Sequence, residues 1–400
     1  MLTTYADFFR PRGIKRFVGI GFLARMPMGT LGIATLLHVR ELTGSIAFAG
    51  SVMGAQLMAS AIMAPIWGRV IDAKGPHNVL RITGTVPALS LLLLFLARPL
   101  QLSHAAILVC AVITGAFMPP VPTIVRTIWR HRFDDERERQ TAFALDSVLI
   151  ELAFTLGPAL VALLVAVASP RAAFGMAWLF VVASVPFLYA SGGLGWWKAA
   201  SAAERHLLGP LRERELLVLY ASMFFLTVGF GGLEVAYLGF ATERSVAAWG
   251  PTLIAINSVG SAIGGLLYGG LHVSMPVERL LPRLMSLLAI PIGLHMFVGS
   301  AWAMAPLAFV AGLFIAPSLT GATLLISRHA PPQYVTEAFT WSATAIVTGI
   351  GAGMAMGGAL IEHWDARAAF ALAMTSMLAG ALFTLALRRG HLQIQPEERR

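Results

Sequence analysis

The sequence contains little charge and a single cysteine. Asp, Glu, Lys and Arg make up 12% of its 400 residues, whereas a soluble globular domain has roughly 25%. Hydrophobic residues make up 57% of the chain and the mean hydropathy is +0.75. One soluble core cannot bury so much apolar surface, and Cys110 cannot form a disulfide within the chain. The composition therefore excludes an ordinary soluble protein.

Several sequence motifs typical of enzymes and nucleotide-binding proteins are also missing. The sequence has no Gly-Lys-Ser/Thr phosphate loop, no Gly-x-Ser-x-Gly elbow and no metal-ligand spacing. A net charge of +9 would suggest nucleic acid in a soluble protein, but no basic groove interleaved with stacking aromatics accompanies it. We therefore expect no enzyme activity, no cofactor, no metal, no nucleic-acid partner and no ATP-driven transport.

What the sequence does contain is a series of apolar runs of about 20 residues. This is the length that crosses ~30 Å of hydrocarbon as a helix. The first run is too long for the apolar part of a signal peptide, which has about 7–15 residues. The runs predict an all-α membrane protein with twelve transmembrane helices, at 17–39, 45–67, 79–97, 103–124, 142–167, 172–192, 216–241, 246–271, 280–300, 302–325, 338–361 and 367–387.

The basic residues predict the orientation, because Lys and Arg remain on the cytoplasmic side. With the N-terminus inside, 23 of the 29 basic residues are cytoplasmic, five are outside and Arg25 lies within the first helix. We expect a multi-pass protein of the bacterial cytoplasmic membrane with both termini in the cytoplasm.

The two groups of six helices resemble each other in sequence. Three matches occur in the same order along both halves and at similar offsets, which indicates a duplicated six-helix unit. The matches are MGTLGIATL (28–36) with FGGLEVAYL (230–238), GAFMPPVPT (115–123) with GLFIAPSLT (312–320), and Gly157 with Gly353.

This duplication predicts three parts of the chain. Residues 1–195 form an N-terminal bundle and 216–400 a C-terminal bundle, while the charged and small residues of 196–215 form a cytoplasmic linker. The two bundles are expected to be pseudo-symmetric.

The loop between helices two and three, WGRVIDAKGPH (67–77), carries a family resemblance. Gly68, Asp72 and Gly75 match the Gly-x-x-x-Asp-Arg-x-Gly-Arg-Arg/Lys motif, so the chain resembles the major facilitator superfamily. The resemblance implies that this loop latches a cytoplasmic gate. Glycines allow tight turns and close helix approach, and the Asp can face the N-terminal end of a helix. Since the motif Arg is missing, Lys74 is expected to supply the nearby charge.

Helix five resembles a second family pattern. Gly157 and Pro158 match the Gly-Pro motif of the drug-proton antiporters, although Val161 and Ala162 replace its Gly-Gly pair. TEAFTWSATA at 336–345 and PPVPTIVRTIW at 119–129 are similar to a poorly assigned group of bacterial small-molecule exporters. The resemblance implies alternating access and assigns Gly157 and Pro158 to gating.

Four charged residues lie within the predicted membrane helices: Arg25, Asp146, Glu151 and Glu234. A charge at the bilayer centre costs ~2.5–3.5 kcal/mol on insertion scales, so each is a functional candidate. Arg25 and Glu151 lie at similar depth in the first half and are expected to pair. One alternative is a structural pair. The other is that the pair breaks during transport and Glu151 exchanges a proton.

The other two acids have different expected roles. Asp146 is five residues from Glu151, so it is rotated by ~140° around the helix. We expect it to cap or bond locally near the gate, with a contact to 126–139 as the alternative. Glu234 is expected to face the central cavity and to exchange a proton or meet a cationic substrate, the alternative being the outer interface.

Several uncharged residues are weaker candidates for lining the cavity. Gln56 and Asn257 often join helices instead, and His295 is more often a packing residue than a proton carrier. The full set of cavity candidates is Gln56, Glu234, Tyr237, Asn257, His295 and Trp341.

The sequence as a whole predicts a secondary transporter. Proton-coupled efflux of a small organic solute is the first expectation, and proton-coupled uptake of a metabolite is the alternative. A receptor or scaffold that moves no solute is the alternative of another class. The expected partners are the solute, protons and the lipid bilayer, with the protein as a monomer.

Overall fold

The computed structural model describes residues 2–198, 206, 208–246, 249–271, 275–385 and 387. Part of the predicted 196–215 linker lies outside the described residues, as do residue 1 and the last 13 residues, 388–400.

Helices form nearly all of the described structure, and no strand occurs in it. The α-helices are α1 (Leu2–Phe8), α2 (Ile14–Leu23), α3 (Met26–Thr43), α4 (Ile46–Lys74), α5 (Pro76–Phe95), α6 (His104–Ala116), α7 (Val121–Arg132), α8 (Glu136–Val167), α9 (Pro170–Ala190), α10 (Arg214–Glu243), α11 (Trp249–Gly270), α12 (Val277–His295), α13 (Ala301–His329), α14 (Val335–His363) and α15 (Ala366–Leu385). Short 3-10 helices occur at Gly193–Trp196, Gly209–Arg212 and Pro332–Tyr334.

Eleven segments in the described part of the chain are long and apolar enough to cross a membrane. The helix α12 completes the set of twelve. It packs between α13 and α15, but Glu278, Arg279 and Arg283 lower the apolar character of its beginning. The predicted all-α fold with membrane-spanning helices is confirmed.

Two of the predicted membrane helices are divided. The first consists of α2 and α3, which meet at Arg25, and the fourth consists of α6 and α7. Pro119 and Pro120 interrupt the fourth because proline removes an N–H donor and clashes with the preceding turn. Pro317, at the related place in the second half, lies inside α13, which continues without a break.

The same close helix crossings occur in both halves. In the first half, α3 crosses α8 where a Cβ at Gly157 would lie 2.7 Å from Cα of Gly29. In the second half, α10 crosses α14 where a Cβ at Gly353 would lie 2.9 Å from N of Gly232. Such short separations require glycine. The structure therefore repeats the helix contact that the sequence alignment relates.

A second crossing follows the same rule. A Cβ at Gly115 in α6 would overlap the backbone of Gln56 in α4, and one at Gly312 in α13 would overlap the backbone of Asn257 in α11. Gln56 and Asn257 thus occupy equivalent places in the two six-helix bundles.

The two ends of the bundles differ in what they expose. We call the end with residues 131–136, 208–213 and 329–335 the linker side, and the opposite end, with residues 96–103, 296–300 and 364–365, the far side. The far side carries three highly exposed rings, Phe297 (82%), Trp302 (78%) and Trp364 (79%). Amphipathic aromatic rings are typical of a membrane-water interface.

Candidate functional site

Asp72, near the end of α4, contacts the beginning of α14 in the other half. Its carboxylate oxygens accept hydrogen bonds from the backbone N–H groups of Thr336 (2.9 Å) and Glu337 (2.8 Å). Both donors belong to the first turn of α14, which has no helical acceptors for them and carries partial positive charge. Asp72 therefore faces a helix N-terminus, as expected, and this contact joins the two halves on the linker side.

An ion pair beside Asp72 joins the same two helices and was not expected from the sequence. The Arg69 guanidinium donates from Nε to Oε2 of Glu337 (3.1 Å) and from Nη2 to Oε1 (2.6 Å). Glu337 is only 1% exposed, whereas the Arg69 side chain is 39% exposed, so water reaches this bidentate pair from the Arg69 side. Lys74, which was expected to supply charge here, is exposed and forms no ion pair with a described residue. The sequence feature that could have indicated this pair is that Arg69 directly follows the motif residue Gly68.

The two motif glycines have different structural reasons. A Cβ at Gly68 would lie 2.8 Å from Cα of Glu337 and would overlap the Thr340 side chain. Only glycine therefore permits α4 to approach α14 this closely. Gly75 forms the turn between α4 and α5 with φ of +79°, a conformation that favours glycine.

More hydrogen bonds cross between the halves on the linker side. Most join α7 or α8 of the first half to α11, α13 or α14 of the second. Arg328 of α13 adds an ion pair to Glu136 of the first half and pairs with Glu278 within its own half. The halves are thus held together along this side. The hydrogen-bonded pairs are Thr127 with Thr336, Arg130 with Ala330, Gln140 with Tyr268, Thr141 with Gly269, and Ser147 with Thr320.

The N-terminal helix α1 also bridges the halves. Thr4 and Tyr5 donate hydrogen bonds to the carbonyls of Gly270 (3.3 Å) and Leu266 (2.9 Å), at the end of α11. Phe8 packs against the tryptophan ring of α7 in the first half. Burial raises the pKa of Tyr5 to about 12, so its hydroxyl remains a donor at physiological pH.

A groove separates the two halves, with α4 of the first half and α14 of the second on its sides. The contacts between the halves change midway along it. Thr344 of α14 donates a hydrogen bond to the carbonyl of Ala61 in α4 (3.0 Å). Further toward the far side, Leu57 on α4 is 48% exposed and Thr348 on α14 is exposed. The hydrogen bonds and ion pairs that join the halves concentrate on the linker side, and a further one toward the far side joins Ser261 to Glu151. The groove is therefore closed on the linker side and open on the far side.

Asp146 has partners different from those expected. It binds Arg25 through Oδ1 and accepts a hydrogen bond from Nε of Arg126 through Oδ2 (3.0 Å). All three residues are buried, with exposures of 1%, 2% and 7% for Asp146, Arg25 and Arg126. The cluster joins α3, α7 and α8 within the first half and holds one negative and two positive charges.

The expected pairing of Arg25 with Glu151 is therefore wrong. The helix break places Arg25 at the beginning of α3, against the side of α8 that carries Asp146. Five residues of helix rotate Glu151 by ~140° from that side. The alternative contact of Asp146 with 126–139 occurs instead, through Arg126. Sequence analysis counted Arg126 only as a basic residue near the cytoplasm and missed this role.

Glu151 faces the second half across the groove. Ser261 of α11 donates a hydrogen bond to its Oε2 (3.4 Å), and the hydroxyl of Ser258, one turn away, is a second donor. Glu234 of α10 lies near enough for the two carboxylates to repel each other. Neither acid forms an ion pair with a described basic residue. The structure thus places two acids from opposite halves within electrostatic range of each other in the membrane interior.

Several cavity candidates lie instead in the packed interior of the second half. Tyr237 and His295 form a hydrogen bond (3.2 Å), each is 1% exposed, and the His295 ring stacks on Phe370. Asn257 is 3% exposed and donates to the carbonyl of Ala308 (2.9 Å). In this conformation these side chains join helices and present almost no surface to the groove.

The remaining candidates have mixed environments. Gln56 is 7% exposed, while Trp341 and Glu234 are half-buried. Gly157 lies at the α3–α8 crossing and Pro158 follows it inside α8. This position suits a helix that bends against its neighbour, and the gating role of both residues remains a prediction.

Two six-helix bundles around a groove that opens to one side form the architecture of a secondary transporter. Residues 17–290 match the model of the Major Facilitator Superfamily. This match spans more than half of the chain, which therefore belongs to that superfamily. The protein is a multi-pass membrane transporter.

Solved structures share the fold at low sequence identity. The human organic anion transporter MFSD10 is 18% identical, with a TM-score of 0.74 over 94% of this chain and 100% of that one. A bacterial homologue of the iron transporter ferroportin, in an outward-facing state, is 12% identical, with a TM-score of 0.77 over 95% and 100%. The E. coli fucose:proton symporter FucP is 12% identical, with a TM-score of 0.72 over 94% and 99%. A sequence search of curated proteins gives no match.

Proposed function

We propose that this transporter couples proton movement to the export of a small organic solute across the bacterial cytoplasmic membrane. One observation carries the proposal: Glu151 and Glu234, from opposite halves, are within electrostatic range of each other in the membrane and have no basic partner among the described residues. An unpaired charge at this depth is expensive. Two neighbouring carboxylates without a cation favour binding of a proton or of a cationic group.

The partners of Glu151 connect its protonation to conformation. Ser258 and Ser261 donate hydrogen bonds to its carboxylate from α11, in the second half. Rocking of one half against the other would move these donors away from Glu151 and change its solvation. Because hydrogen bonds and solvation determine proton affinity, the two facing states would bind protons differently. In this proposal Ser258 and Ser261 control the proton affinity of Glu151, a role that the sequence analysis gave to Arg25.

The gate provides the second part of the proposed cycle. With the linker side in the cytoplasm, as the basic residues indicate, the observed groove opens to the outside. The contacts of Asp72 and Arg69 with α14 then hold the cytoplasmic gate closed. Labelling of single cysteines at positions 212 and 244 from outside intact cells tests this orientation, because only position 244 should react.

The direction of transport rests on the Gly157–Pro158 resemblance to antiporters. A deletion strain, profiled against several hundred compounds, would identify exported solutes by increased susceptibility. A strain that instead loses growth on one metabolite would favour proton-coupled uptake.

The coupling test uses everted membrane vesicles with a pH-indicating dye and an identified solute. Wild type should release protons when the solute is added, whereas Glu151→Gln or Glu234→Gln should reduce that release at least ~10-fold, as expected when a required proton carrier is lost. Glu362→Gln is the control, since this acid is exposed near the far-side end of α14.

Wild-type release in both single variants would reject the two acids as proton carriers. Loss in Glu234→Gln alone would leave Glu151 with a structural role.

A further inference from the structure

A groove of about 550 Å³ runs between α12 and α15 on the outer surface of the second half. Its walls are apolar, and Leu287, Leu378 and Leu382 are 45%, 37% and 66% exposed within it. The helix α15 is long and apolar enough to cross a membrane and α12 packs beside it, so this surface faces the hydrocarbon. A groove of this kind suits a lipid acyl chain.

Arg283 lines the linker-side end of this groove, and Arg279 lies one helical turn further toward the linker side. Arg279 and Arg283 are both exposed on α12 and, being four residues apart, share one face of it. Arg283 is six residues from the beginning of α12, or ~9 Å along its axis. Such a position places a guanidinium at the depth of the lipid headgroups.

Neither arginine has a carboxylate partner among the described residues. The neighbouring acid, Glu278, pairs with Arg328 (2.5 Å) in the interior. Arg283 contacts the sulfur of Met275 (2.6 Å), which is a weak acceptor. The guanidinium groups therefore keep donors for an external anion.

The helix end increases this preference. The N-terminal end of a helix has partial positive charge, so Arg279, in the first turn of α12, is repelled by it. An anion bound to both arginines would relieve that repulsion. A phosphate with an attached acyl chain matches both the charged end and the apolar walls.

The corresponding place in the first half is built differently. His77 and Arg81 of α5 align with Arg279 and Arg283 at an offset of 202, and the repeated sequence RAAF at 171–174 and 367–370 relates α9 to α15. Tyr189 of α9 lies against His77, with 3.0 Å between Oη and Nδ1. This ring connects α5 to α9, whereas its equivalent in α15 is Leu385, which lines the groove.

We propose that the α12–α15 groove binds an anionic phospholipid from the leaflet on the linker side. Its phosphate contacts Arg279 and Arg283, and one acyl chain lies between α12 and α15. The site lies on the outer surface of the second half and does not depend on the transported solute.

Native mass spectrometry of the full-length protein tests the site with phosphatidylglycerol and phosphatidylcholine of identical acyl chains. Wild type should retain phosphatidylglycerol at least about 5-fold more than phosphatidylcholine, since each basic side chain near the surface contributes about that factor. The double variant Arg279→Gln/Arg283→Gln should lose this preference. Leu382→Trp, which fills the groove, should reduce retention of both lipids.

Arg81→Gln is the matched control and should keep the wild-type preference, because it changes an exposed arginine at the equivalent place of the first half. Equal retention of the two lipids by wild type would overturn the proposal. An equal loss in Arg81→Gln and in the double variant would also overturn it, since the effect would then come from general surface charge. Displacement of phosphatidylglycerol by inorganic phosphate at equal concentration would show that the groove contributes nothing.

Discussion

Two groups of charged contacts in this protein differ in what they join. The cluster of Asp146, Arg25 and Arg126 lies wholly within the first half and is buried. The contacts of Asp72 and Arg69 with α14 join the two halves. Contacts within one half remain when the halves rock, whereas contacts between halves must break. We therefore expect the first group to determine stability and the second to determine which side of the groove is open.

Asp146→Asn should have the largest effect. It leaves Arg25 and Arg126 buried without a counter-charge, and breaking a buried ion pair in this way costs ~3–5 kcal/mol. Thermal unfolding in detergent should show a much lower midpoint. Glu151→Gln serves as the control, because this acid has only serine partners, and its midpoint should stay near that of wild type. Equal midpoints for Asp146→Asn and wild type would contradict the structural role of the cluster.

Asp72→Asn should have a smaller effect of another kind. The variant keeps one acceptor for the N–H groups of Thr336 and Glu337 but loses the charge that favours the helix end, a change of up to ~2 kcal/mol in a partly buried site. The population that is open on the linker side should rise about 5–30-fold. Spin labels at residues 134 and 279 would show the longer distance.

Lys74→Gln is the control for Asp72→Asn, since Lys74 is exposed and forms no ion pair with a described residue. It should leave the distance distribution unchanged. If Asp72→Asn also leaves it unchanged, the Arg69–Glu337 pair alone keeps the gate closed. A lowered unfolding midpoint in Asp72→Asn would show that the two groups of contacts do not differ as proposed.

Tyr5→Phe should have the smallest effect, also on the gate. It removes one hydrogen bond between α1 and Leu266, worth ~0.5–1.5 kcal/mol, so the same spin labels should report a modest gain of the open population. Burial raises the pKa of Tyr5 to about 12, so the bond should be fully present below the ordinary tyrosine pKa of about 10 and be lost as the pH rises toward 12. Tyr189→Phe, which affects only a contact within the first half, should not change the distance. An equal shift in both variants would reject α1 as a bridge.

Length and hydropathy were enough to predict the membrane helices, because a span of about 20 apolar residues has few alternatives in a chain this hydrophobic. The Asp72 contact was also predictable, since a carboxylate near a tight turn finds few better partners than a helix N-terminus. The partner of Arg25 was not. Whether Arg25 pairs with Asp146 or with Glu151 depends on the rotation of α8 and on the helix break before α3. The position of a residue along its membrane helix gives its depth but neither of these.

The pair of Arg69 and Glu337 was missed for a related reason. Its members are 268 residues apart, so only the packing of α4 on α14 shows that they meet. Tyr237 and His295 were assigned to the cavity because polar residues in a membrane suggest a pathway. The two side chains hydrogen-bond to each other inside one bundle, and their positions in the sequence do not indicate this pairing.

The exposed rings on the far side have a mechanical consequence. Phe297, Trp302 and Trp364 all belong to the second half, and such rings hold a helix end at the interfacial layer of a bilayer. Rocking that carries these rings into hydrocarbon or into water costs free energy. The described residues of the first half include no ring of similar exposure, so movement of that half does not carry this cost. Bilayer thickness then enters the transport cycle as a variable, because lipids with shorter acyl chains shift the interface to which these rings are anchored.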